Sequence, residues 1–112
     1  MHEAAITTSM LAAVTAAARE QGAVRITRIN LAFGREAGVV PDCVRHYFDV
    51  LKPGTPAEGA ELVFREVPLV LRCPRCGSEF SDLADICACN AGALVISGRE
   101  MVVESIEVEE AD

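Results

Sequence analysis

Four cysteines fall within seventeen residues, as Cys73-Pro-Arg-Cys76 and Cys87-Ala-Cys89, inside the segment RCPRCGSEFSDLADICACNAG from Arg72 to Gly92. Nothing else in the chain constrains its fold so tightly, and three chemistries compete for it. A dithiol redox pair would open a helix after a strand, in a βαβ setting. Here Gly77-Ser78 follows Cys76 at once, which favours a turn. Paired disulfides suit an oxidising compartment. Tetrahedral Zn²⁺ held by four thiolates suits the spacing best. Zn–S bonds of about 2.3 Å need sulfurs only about 3.8 Å apart. In extended chain, residues two apart point the same way, so even the tight Cys87-Ala-Cys89 can converge on one ion. Gly77 permits a turn that aims backbone N–H groups at the thiolates. Cys73, Cys76, Cys87 and Cys89 would fill all four positions, so the expected site is closed and structural, with no place for a reacting water.

The rest of the chain is long enough for one compact domain and a small lobe. With four Phe, one Tyr and no Trp, its core must come from Val, Leu, Ile and Ala. The formal net charge is −7, and residues 99–112 carry six acids against one arginine. That balance disfavours nucleic acid, whose phosphates need a basic face. A solvated outer strand face accounts for the acidic end, and a basic protein partner or a cation remains compatible with it. The start, Met-His-Glu, has no basic leader, and the apolar run from Leu11 to Ala18 contains Thr15 and is too short to span a bilayer. A cytoplasmic protein without a membrane partner is expected, and there thiols stay reduced.

Periodicity predicts a helix over residues 4–21, with Ile6, Met10, Val14 and Ala17 as its stripe and Ala13 and Ala18 alongside; Gly22 stops it. AVRITRINLAF, residues 23–33, reads as a strand. Val24 and Ile26 lie out of phase with Ile29, Leu31 and Phe33, which predicts a bulge or burial on both faces. Pro41 opens a second helix, PDCVRHYFDVLK, with Val44, Phe48 and Leu51 as its stripe and Tyr47 and Val40 able to join. Cys43 is read there as a small buried hydrophobe and His46 as a surface side chain. TPAEGA is a turn, ELVFREV a strand, and ALVISGREMVVESIEVEE a strand, a turn at Ser97-Gly98 and a longer half-buried strand. The expected fold class is α+β, with two helices packed on a small, mostly antiparallel three-stranded sheet and an inserted zinc-ribbon-like lobe.

No paired carboxylates, no Ser/His/Asp set and no phosphate-cradling loop stand out, so an enzyme is not expected. With only two histidines in the chain, attention moves to His2. A terminal amine, the next backbone nitrogens and an imidazole can wrap one cation, and such tetragonal nitrogen donation selects Ni²⁺ or Cu²⁺. An incidental second-position histidine is the plain alternative. MHE at the start, the loop FGREAGVVPD, the stretch PGTPAEGAELVFREVP and the CPRCG knuckle together resemble the hydrogenase maturation nickel chaperones of the HypA/HybF family, over essentially the whole chain.

That resemblance implies a nickel metallochaperone. It would take Ni²⁺ at Met1, His2 and Glu3, through the terminal amine, the His2 imidazole and the backbone nitrogens of His2 and Glu3. A structural zinc would sit at Cys73, Cys76, Cys87 and Cys89, although the family's second knuckle is commonly CxxC where this chain has CxC. The implied partners are a hydrogenase maturation GTPase, the large subunit of nickel–iron hydrogenase and, in some bacteria, urease accessory proteins. Residues 1–67 with 98–112 are then expected to form the nickel-binding domain and residues 68–97 the structural zinc-binding lobe. A zinc-ribbon protein-interaction module without nickel transfer is the competing reading.

Overall fold

The computed structural model describes residues 2–110. Helix α1 (Glu3–Glu20) leads into strand β1 (Ala23–Gly34), helix α2 (Pro41–Leu51) and strand β2 (Glu61–Val67). Three short strands follow, β3 (Val70–Arg72), β4 (Glu79–Phe80) and β5 (Leu94–Ser97), with a single 3-10 turn at Leu83–Asp85, and β6 (Met101–Glu110) closes the chain. Strands β2, β1 and β6 form one sheet in that order, and β4, β3 and β5 form a second. The molecule is 59 Å long with a radius of gyration of 17.6 Å. A single compact ball of this length would have about 13 Å, so the two sheets lie end to end along the molecule.

In the first sheet β1 runs parallel to β2 and antiparallel to β6. The parallel pair follows from the connection: α2 lies between β1 and β2, and a helical crossover returns the chain to the same end of the sheet. The other three strand pairs are antiparallel. Along β1 and β6 the register slips three times, once between Ile26 and Arg28 and once between Asn30 and Leu31. The expected phase change is therefore real: Ile26 and Ile29, three residues apart, are both buried.

Both helices cover one face of this sheet. Met10, Val14 and Ala18 of α1 and Val44 and Phe48 of α2 pack with Ile26, Ile29, Leu31 and Leu62. The buried stripe of α1 runs Glu3, Thr7, Met10, Val14, Ala18. It is rotated from the expected one: Ile6 is half-buried, and Ala13 and Ala17 are exposed. Thr7 hid the true stripe because it is polar. Its hydroxyl donates back to the Glu3 carbonyl, so burial leaves it satisfied. On α2 only Val44 and Phe48 are buried; Val40, Tyr47 and Leu51 stay exposed. Cys43 is exposed as well, because two buried residues four apart define a narrow stripe that it does not share. Arg45 completes this side by stacking 4.7 Å over Phe64 and donating from Nη1 to the Leu62 carbonyl at 3.0 Å.

The junction between the sheets is backbone on backbone. Gly34 N–H donates to the Glu100 carbonyl, Arg35 N–H to Val67 and Glu36 N–H to Gly98, at 2.8, 3.1 and 2.8 Å. A side chain at Gly34 would overlap the Gly98 carbonyl, and one at Gly98 would stand 2.5 Å from the Leu69 Cα. Gly98 also has φ +99, a conformation that favours glycine. The loop from β1 to α2 is thereby clipped to both segments that enter and leave the second sheet.

Candidate metal centre

The second sheet has almost no core of its own. Leu71, Cys73 and Phe80 are buried, with Leu69, Ile86, Cys87, Cys89 and Ala93 packed partly against them. Three of the four clustered cysteines thus belong to that core. A lobe this small cannot fold on apolar burial alone, which makes the sulfurs part of the fold's stability.

The first knuckle leaves β3 at Arg72. Cys73 N–H donates to the Ser78 carbonyl at 2.9 Å, and Gly77 N–H donates to the Cys73 carbonyl at 3.0 Å, which closes the turn. Gly77 takes φ +77 there, as a glycine can. The turn aims the N–H groups of Arg75 and Cys76 at the Cys73 sulfur, each at 3.4 Å. The second knuckle is turned by Asn90, at φ +48, whose N–H donates to the Cys87 carbonyl at 3.2 Å. The sulfurs of Cys73, Cys76, Cys87 and Cys89 all lie within 4.8 Å of one another. Cys76 and Cys87 are 3.7 Å apart, far beyond a bonded pair at about 2.05 Å and close to the spacing of two thiolates on one tetrahedral ion.

The electrostatics fit a cation. N–H donation from Cys76, then from Arg75, holds the Cys73 thiol below its ordinary value. The Ser78 hydroxyl, 3.1 Å from the Cys76 sulfur, and the Ser78 backbone pull Cys76 down to about 6. The sulfurs of Cys87 and then Cys76 push Cys89 up to about 12. Four sulfurs this close cannot all ionise against one another, and a dication among them gives each thiolate positive charge to face. The spacing of cysteines does not single out Ser78, whose signal is the Cys-Gly-Ser run that brings a hydroxyl back to the second sulfur.

The amino-terminal residues stand elsewhere. Met1 lies outside the described residues. His2 is exposed and serves as the N-cap of α1 with no side-chain capping bond, while its carbonyl accepts from Ile6 N–H at 2.9 Å. Glu3 is the first helical residue and only 6% exposed. Because α1 begins here, the first-turn N–H groups have no acceptor in the helix ladder. On α2, His46 is exposed with its ring edge-on to Tyr47, and neither it nor Cys43 joins a group of metal-ligating side chains among the described residues. No helix among the described residues is long and apolar enough to cross a membrane.

Known proteins share both the sequence and the fold. Residues 1–108 match the family model described as HypA, hydrogenase/urease nickel incorporation, metallochaperone. The hydrogenase maturation factor HypA of Chlorobium limicola is 42% identical, with 100% of both chains covered. That of Chlorobaculum tepidum is 43% identical over 97% of this chain and 100% of its own. The solution structure of the Ni metallochaperone HypA from Helicobacter pylori superposes with a TM-score of 0.79, covering 99% of this chain and 100% of that one, at 20% identity. A family match over residues 1–108, relatives above 40% identity and a shared fold place the chain in the HypA family of hydrogenase/urease nickel-incorporation metallochaperones.

Proposed function

We propose that this chain carries Ni²⁺ at its amino terminus and hands it on for maturation of nickel–iron hydrogenase, with urease a further destination. The donors would be the Met1 amine, the His2 imidazole and the backbone nitrogens of His2 and Glu3. The observation that carries the reading is the exposed His2 at the very start of α1, on a chain of this family. A helix start asks nothing of those backbone nitrogens as ladder donors, and the set of an amine, amides and an imidazole suits tetragonal Ni²⁺. Glu3 enters through its backbone. The ion is cargo: it is captured at an open terminus and released by ligand exchange on a docked partner.

In this reading Zn²⁺ is held by Cys73, Cys76, Cys87 and Cys89 and supplies only cohesion to the lobe of residues 68–97. Residues 1–67 with 98–112 form the nickel-binding domain. The protein works in the cytoplasm with a hydrogenase maturation GTPase and the hydrogenase large subunit, and it catalyses no reaction of its own. Nickel affinity should fall in acid, since amine, amides and imidazole all bind after losing protons.

The deciding experiment is calorimetric titration of the untagged protein with Ni²⁺, beside His2→Ala and a variant with two residues added before Met1. Both changes are expected to abolish binding while zinc content and circular dichroism stay as in the wild type. Unchanged nickel affinity in both would refute the site and leave a zinc-ribbon interaction module as the better account.

A further inference from the structure

Strand β5 is one of the two edges of the second sheet, paired only with β3. Its three apolar residues are consecutive and all exposed: Leu94 52%, Val95 40% and Ile96 45%. A strand sends successive side chains to opposite faces, so here both faces and one backbone edge are uncovered. Beyond the Gly98 turn, Val102 and Val103 at the start of β6 are also exposed, at 47% and 38%. Between the two strands lies a crevice of about 220 Å³, lined by Ala32, Val67, Val95, Ile96 and Val102. Gly98, whose backbone closely approaches Gly34 and Leu69, also lines it. Solvated runs of three apolar residues on an unprotected strand edge are rare unless something binds them.

The rim adds a charge. Arg25, Arg28, Arg35, Arg65 and Arg72 each hold a carboxylate at 2.7–3.5 Å. Arg99, which edges this crevice, has none among the described residues, as is also true of Arg19, Arg45 and Arg75 away from it. Glu100 shares the rim, so a tract of acids would meet like charge there, whereas a single carboxylate can face Arg99 alone. A second copy of this chain fits poorly. From Ile86 to Gly98 the sequence holds no acid, so two β5 edges paired on each other would leave Arg99 without a counter-charge. Each copy also brings a net charge of −7. The same charge disfavours an anionic membrane or nucleic acid.

We propose that the β5 edge and the crevice beneath Ile96 and Val102 form a docking site for an extended, apolar segment of a different protein that carries one carboxylate for Arg99. The segment adds a strand to β5 through main-chain hydrogen bonds, sets an apolar side chain into the crevice and pairs its acid with the guanidinium. The site is separate from His2 and does not depend on where nickel binds.

The test uses the full-length, zinc-loaded protein as bait for a displayed library of random dodecapeptides, followed by affinity measurement on synthetic copies of the enriched peptides. Enriched peptides should be alternating and apolar with one Asp or Glu. Their binding should weaken about tenfold, the scale of one charge-assisted contact, with Arg99→Glu and with Ile96→Ser, and recover with Arg99→Glu when the peptide acid is changed to Lys. Both substituted side chains are exposed, and zinc content and circular dichroism identify any variant that misfolds. Arg99→Gln, which keeps the side chain's length, serves as the second variant. Peptides insensitive to these changes, peptides without an acid, or no enrichment at all would overturn the proposal. So would a concentration-dependent dimer in sedimentation that Ile96→Ser abolishes, since a second copy would then be the occupant.

Discussion

Arg65 on β2 and Glu104 on β6 belong to opposite edges of one sheet, yet they meet in a two-point bridge, with Nε at 3.0 Å and Nη2 at 2.8 Å from the two carboxylate oxygens. The central strand β1 lies between them, and the residue it sets opposite Arg65 is Ala32. A small side chain there leaves room for the guanidinium to pass over, and Ala32 is 3% exposed in consequence. The register slip beside Asn30 and Leu31 makes Glu104 the extra residue on β6, which brings it within reach. Arg28, on β1 itself, binds Glu61 on one edge and Glu107 on the other, at 3.7 and 3.2 Å. The open face of the sheet is thus cross-tied by charge while the opposite face is held by the helices.

The bridge carries a pH signature. The Arg65 guanidinium, by hydrogen bond and then by charge, holds the Glu104 carboxyl below its ordinary value against some desolvation. A folded-state value depressed in this way adds stability above the unfolded carboxyl's titration, and that stability is lost as pH falls through the folded value. Glu104→Gln should therefore lower the melting temperature at pH 7, and the difference should shrink as the pH is taken from 7 down through the carboxyl range. The effect will be small, because the two side chains are 61% and 38% exposed. Thermal melts of both proteins across that range check it, and an equal difference at both ends would contradict it.

The backbone junction predicts a sharp contrast among glycines. Gly34→Ala places a methyl on the Gly98 carbonyl, and Gly98→Ala combines positive φ with a 2.5 Å approach to Leu69. Each should cost about 2–4 kcal/mol, in the range of overpacking and backbone strain. Gly59→Ala, with nothing within 4 Å of the new methyl, should stay within about 0.5 kcal/mol of wild type. Urea unfolding of the three variants tests the contrast directly.

Thiol chemistry should separate the five cysteines. Cys43 is exposed on α2, away from the cluster. In the zinc-loaded protein one thiol per chain should react quickly with an alkylating reagent, and mass spectrometry should find it at Cys43. The remaining four should react only after a chelator is added. Rapid reaction of all five before chelation would show that no metal shields the cluster.

Metal removal should act on one end of the molecule. The second sheet depends on Leu71, Cys73 and Phe80, whereas α1, α2 and the first sheet share the larger core around Val14, Ile29 and Phe48. Chelation or Cys73→Ser should abolish amide protection in β3, β4 and β5 and leave it in β1 and α1. Phe48→Ala, at 2% exposure, should instead weaken the helical half by about 3–5 kcal/mol.

Much of this molecule was legible in its residues. The cysteine spacing marks the cluster, ELVFREV reads as β2, with Leu62 buried and Phe64 half-buried on one face, and the phase slip between Ile26 and Ile29 announces the bulge in β1. The errors have physical sources. Thr7 concealed the inward face of α1 because its buried hydroxyl finds a carbonyl four residues back. Cys43 was read as buried from its type alone, although α2 turns only Val44 and Phe48 inward. The parallel pairing of β1 with β2 is a property of the crossover and leaves no mark on either strand's pattern. The ties across the open face, Arg65 to Glu104 above all, join residues 39 positions apart and depend on a register that no local reading contains.

Consecutive residues Arg35 and Glu36 donate to Val67 and Gly98, the carbonyls at which the chain departs for the second sheet and comes back from it. Departure and return are therefore side by side, and β3, β4 and β5 are all threaded between them. A change in the length of chain between those two carbonyls therefore leaves the course of the backbone through the helices and their sheet as it is.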